Sequence, residues 1–135
     1  MTLKNATLLF AAAWAAHTAD HVRRGFSAVD DGVVVGGTFV AMLFAVLATL
    51  VFVGHGAAPL LAAASGPAIA FGVAASHYLP EWGTLSDPLA EADADLWTWV
   101  AVTAEVGTAV LLGAVGWRIA ARHDYAWSIP PSAWA

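Results

Sequence analysis

In the run His17-Thr18-Ala19-Asp20-His21-Val22-Arg23-Arg24-Gly25, an otherwise apolar stretch of chain presents two imidazoles, a carboxylate and two guanidiniums. His17 and His21 are four residues apart, so on a helix they share a face, one turn above the other. Neutral imidazole ligates zinc and iron well, and two histidines plus a carboxylate with an open position suit catalytic zinc or non-haem iron. The further ligands must come from elsewhere in the chain, and His77 and Glu105 are the groups of the right type. The expected metal set is therefore His17, His21, His77 and Glu105. Asp20, next to His21, is expected either to join that set or to accept a hydrogen bond from a ligand imidazole. With Glu105 it is also a candidate acid or base for chemistry at the ion. Arg23 and Arg24 are candidates for gripping an anionic cofactor or substrate, a haem propionate among them, through their fork geometry. The plainer expectation is that arginines at a helix end reach lipid phosphates.

The setting for these groups is lipid. Hydrophobic residues make up 60% of the chain, charged residues 11%, and the mean hydropathy is +0.72, against roughly 25% charged residues in soluble domains. Between Gly32 and Pro80 there is no Asp, Glu, Lys or Arg, a stretch long enough for two passes at about 20 residues each. The composition predicts an all-α integral membrane protein of one domain, sited in the cell membrane with the lipid bilayer as its first partner. Cysteine is absent, which excludes disulfides, thiolate metal sites, iron–sulfur clusters and cysteine nucleophiles. The net charge of −5 and the lack of a basic patch exclude a nucleic-acid partner. No HExxH, phosphate-cradling Gly-rich loop or GxSxG elbow is present, so the familiar hydrolase and nucleotide motifs contribute nothing.

Four helices are expected, at about 3–22, 32–53, 57–79 and 88–122, followed by a short aromatic tail over 123–135. Lys4 before an apolar run resembles a signal peptide, but Trp14 and the histidines just beyond make a poor cleavage region, and the segment reads as retained. Asp30 is placed to cap the second helix, whose Gly32 and Gly36 have the spacing that permits close helix packing. The Gly54-to-Pro59 segment breaks the chain before the third helix, and Gly66-Pro67 is expected to kink it. Asp87 is placed to cap the fourth, with Pro88 in its first turn. Four passes leave both termini on one side, and Lys4, Arg118 and Arg122 outnumber Arg23 and Arg24, which favours a cytoplasmic side for the termini.

This topology sorts the histidines. His17, His21 and His77 approach the outer side, His55 falls in the opposite loop and His123 in the tail. Phe10, Trp14, His17, His21 and Arg24 share a face of the first helix; Gly66, Ala70, Val73 and His77 one of the third; Thr98, Val102 and Glu105 one of the fourth. Polar stripes in a bilayer turn inward or to a wet cavity, and an acid at membrane depth is a functional candidate by default. The acidic connection over 81–95 is a solvated loop on this reading, with a cation-collecting role as the sharper alternative. The leading expectation is a membrane protein with a divalent zinc or iron ion in its outer leaflet, acting on a lipophilic small molecule if it is an enzyme. Haem bound by histidines on facing helices is the less favoured cofactor. The competing functions are a proton- or cation-coupled transporter, as a homodimer, in which Glu105 titrates, and an accessory subunit of a larger membrane complex that docks through the tail.

Overall fold

The computed structural model describes residues 1–25, 29–92 and 94–122. Within them lie four helices: α1 (Leu3–Arg24), α2 (Asp31–Phe52), α3 (Ala58–Tyr78) and α4 (Leu96–Ala120). Asp93, His123 and the aromatic tail expected to dock fall outside the described residues. Short polar side chains satisfy the first free N–H groups of three helices. Thr2 accepts from the Asn5 N–H at 3.2 Å, Asp30 from Gly32 at 3.1 Å and Asp95 from Thr98 at 3.0 Å. Gly25, at φ 88°, ends α1 by returning its N–H to the His21 carbonyl.

α2, α3 and α4 are long and apolar enough to cross a membrane. α1 has 22 residues, as α2 does, but it carries Lys4, Asp20, Arg23 and Arg24. Contacts at the helix ends fix the directions. At one end the Arg118 guanidinium donates to the Met1 carbonyl at 3.2 Å, and the Lys4 ammonium stands 6.0 Å from the Phe52 ring centre. At the other, Arg23 reaches Asp95 and Arg24 reaches Asp87. α1 and α3 therefore run one way and α2 and α4 the other.

α4 is the central helix, packed against α3 and α1, while α2 lies more loosely on α3 and α1. The α3–α4 seam is built from residues with little or no side chain. A Cβ on Gly66 would stand 2.5 Å from the Gly113 nitrogen, and one on Gly113 would stand 2.6 Å from Pro67 Cδ. Ala62 and Ala109 are fully buried nearby. Van der Waals contact between close backbones drives helix association in lipid. Gly66→Val is accordingly expected to cost about 1–3 kcal/mol, the usual penalty of overpacking, read as a lower midpoint for unfolding in detergent. α3 continues through Pro67, whose ring packs on Gly113.

The glycine spacing in α2 has another use than the one expected. Gly32 lies directly under the Thr84 carbonyl, with no room for a Cβ, and a Cβ on Gly36 would make only ordinary contact, 3.7 Å, with Leu85. The close approach there is between helix and connection, not between two helices. Elsewhere α2 inserts Phe44 edge-on against Phe10, centroids 4.8 Å apart, and leaves Val35, Phe39, Met42 and Val46 exposed.

The apolar core, with Phe10, Phe44, Leu47, Ile69 and Leu112, occupies the half of the bundle nearer Met1. Two buried hydroxyls in that half return to their own helices, Thr7 to the Leu3 carbonyl and Ser65 to the Leu61 carbonyl. The buried groups His17, Asp20, His77, Asp87, Thr98 and Glu105 gather at the other end.

Candidate metal centre

Each histidine reaches the site by the helical phase of its own element. On α1, His17 and Asp20 are buried and His21 is half-buried. On α3, the stripe of Gly66, Ala70 and His77 is buried, as is that of Thr98, Val102 and Glu105 on α4. The imidazoles of His17, His21 and His77 come together: centroids are 4.6 Å apart for His17–His21, 4.8 Å for His17–His77 and 5.8 Å for His21–His77. One ligand nitrogen from each of the three falls within 4.8 Å of the others. Glycine and alanine at the α3–α4 seam make this possible, because they bring His77 close to the face of α4 that carries Glu105.

The hydrogen bonds fix which nitrogens are free. His17 Nδ1 is bonded to Glu105 Oε2. With the carboxylate ionised and the ring neutral, the proton of that bond sits on Nδ1 and the lone pair on Nε2. His77 Nδ1–H donates to the Asp87 main-chain carbonyl at 3.0 Å, which again leaves Nε2 with the lone pair. Among the described residues, three buried side-chain atoms have no hydrogen-bond partner in the chain: His17 Nε2, His21 Nδ1 and Asp20 Oδ2. Buried polar atoms without partners are rare, and an ion or water is a common reason for them. Here two of the three are imidazole nitrogens in one cluster.

His17 and Glu105 also lie at similar depth. α1 runs on to Arg24, which places His17 about 10 Å from its end, and Glu105 is about 13 Å from the start of α4 at 1.5 Å per residue. The difference is less than one turn.

Asp20 and the arginines form a rim above the histidines. Arg23 binds Asp20 Oδ1 through Nε at 3.0 Å and Nη2 at 2.7 Å, and Nη2 also reaches the Thr98 hydroxyl at 3.3 Å and Asp95 at 2.9 Å. Arg24 spans both oxygens of Asp87 at 3.3 Å. Both forks expected to hold an anionic cofactor are thus turned to carboxylates of the chain. Asp95 is the exposed member: the Thr98 N–H, with further help from the Thr98 hydroxyl and Arg23, holds its carboxyl below the ordinary range. In this cluster four carboxylates, Asp20, Asp87, Asp95 and Glu105, face two guanidiniums.

Asp87 is the neighbour of this cluster that the sequence does not disclose. As a cap it would open the fourth helix at Pro88, yet α4 starts at Leu96 with Asp95 as its cap. The segment before it makes one turn, with the Ala92 N–H on the Pro88 carbonyl, and is stitched to the end of α3 by Asp87 N–H to Ser76 and Leu89 N–H to His77. The carboxylate is then free to meet Arg24, and it lies 3.7 Å from His77 Nδ1. The signal available was only an acid ten residues beyond His77, in a connection without helical periodicity. His55, at the opposite end, accepts from the Ala57 N–H within its own turn and takes no part.

Compared with models of known protein families, with curated proteins and with solved structures, the chain matches none.

Proposed function

We propose that this chain is a four-pass membrane metalloprotein that binds one divalent transition ion, zinc or iron, through His17, His21 and His77. The observation that carries the reading is the convergence of three imidazoles from α1 and α3, two of them with buried nitrogens that have no partner in the chain. Nitrogen donors favour zinc, iron, copper or nickel over magnesium and calcium. Three protein ligands leave a fourth tetrahedral position for water or a small molecule, the arrangement of a catalytic rather than a closed structural site. An ion held there would act as a Lewis acid or lower the pKa of bound water, on a lipophilic molecule that reaches the bundle from the bilayer. Rings packed this closely leave no slot for a macrocycle between any pair, which favours an ion over haem.

α1 makes the fourth pass in this reading. Its Asp20 is buried and paired with Arg23, and both arginines end in ion pairs with the chain at the rim, so that the charges near this end of α1 are met by protein groups. The chain termini then share one side, which the bias of Lys4, Arg118 and Arg122 makes the cytoplasmic one.

Elemental analysis and an absorption spectrum on one detergent-purified sample test the function together. The expected result is about one zinc or iron per chain and no haem Soret band. A chain that stays free of stoichiometric metal after growth in zinc- and iron-supplemented medium, or one that carries haem, would remove the proposal.

A further inference from the structure

We infer that Glu105 is a positioning residue, the outer partner that fixes and strengthens His17 as a ligand, and not itself a ligand to the ion. The inference rests on the three-histidine reading and assigns a role to a buried acid of α4. Glu105 is 2% exposed, at a depth where a carboxylate needs a compelling partner. Its Oε2 meets His17 Nδ1, whereas the partnerless nitrogen of that ring is Nε2. A single ring cannot turn the same nitrogen to both. The carboxylate thus takes Nδ1 and leaves Nε2 as the nitrogen open to an ion.

A carboxylate on the far nitrogen of a ligand histidine holds the tautomer, fixes the ring's direction and raises its basicity. His77 Nδ1 is bonded instead to the Asp87 main-chain carbonyl at 3.0 Å, with the Asp87 carboxylate farther off at 3.7 Å. The two backings are therefore unequal, and the direct carboxylate bond is the one on His17. Glu105 also brings a buried negative charge close to the ion without using a coordination position, so the fourth position stays open.

The test uses cobalt(II) and zinc(II) with the full chain in detergent. Glu105→Gln, which keeps an acceptor but no charge, is expected to weaken binding by about 10–100-fold, and Glu105→Leu by at least as much. The cobalt d–d spectrum and the number of imidazole donors should stay as in the parent protein. Both variants are measured on the monodisperse fraction from size exclusion, since a purely structural role lowers the folded yield without changing that fraction's affinity. An independent readout needs no variant: the ring ¹⁵N shifts of His17 in the metal-free protein should report a proton on Nδ1. Unchanged affinity in Glu105→Gln, a proton on Nε2, or an oxygen donor lost from the cobalt site would overturn the assignment. If the parent protein binds neither cobalt nor zinc, the three-histidine reading fails instead.

Discussion

Replacing His77 by alanine is expected to weaken metal binding by roughly 100-fold and so to yield a nearly metal-free protein on purification. Apparent binding energies of about 10–16 kcal/mol for four-ligand zinc sites put each ligand near 3 kcal/mol, or about two factors of ten. His77 is the only ligand that α3 supplies, so its loss leaves two imidazoles on α1 alone, a pair with no partner from another helix. Alanine removes the bond to the Asp87 carbonyl as well, so the connection beyond α3 should also loosen. His55→Ala is the matched control, because His55 lies in the opposite turn, and it should leave the metal content unchanged. Isothermal titration with zinc on the parent and the two variants checks both expectations. Equal affinity in the parent and His77→Ala would show that the ion, if bound, sits elsewhere.

The second large effect belongs to the rim. Arg24→Leu is expected to destabilise the protein by about 3 kcal/mol, because Asp87 is 6% exposed and would lose the guanidinium that pairs with it. Breaking one partner of a buried pair is far more damaging than replacing both. The double variant Arg24→Leu with Asp87→Leu should therefore recover a good part of the loss, and the two changes should be non-additive in a double-mutant cycle. Unfolding in detergent micelles measures all three. Additive losses would mean that the Arg24–Asp87 contact contributes nothing of its own.

The parts of this molecule that were legible in the sequence are those that follow from periodicity. Charge-free length marked α2 and α3, and phase put His17, His21, His77 and Glu105 on inward faces before any contact was known. That phase is robust because, in lipid, a polar stripe has nowhere else to go. What periodicity does not carry remained hidden. The start of α4 was misplaced by about two turns, since Asp87-Pro88 and Asp95 are both reasonable helix openings and only the pull of Arg24 and His77 decides between them. The partners of Arg23 and Arg24 were equally out of reach. Acids and headgroups attract a guanidinium alike, and the choice depends on how close the connection over 79–95 folds to the end of α1. The tight α3–α4 seam is legible in the small residues around Gly66, whereas the glycine spacing of Gly32 and Gly36 meets a connection rather than a helix.

Four carboxylates and two guanidiniums share the end of the bundle, and Asp20 Oδ2 has no partner in the chain. On the proposed reading, an ion bound beside the histidines would stabilise the fold as well as occupy the site, by the usual linkage of binding to the folded state.

The most direct test of the three-histidine site is X-ray absorption at the metal edge of the purified, metal-loaded protein. The expected spectrum has three imidazole nitrogens at about 2.0–2.1 Å with the outer-ring scattering that imidazole gives, plus one further light atom. A shell made only of oxygen donors, or one with a single imidazole, would contradict it.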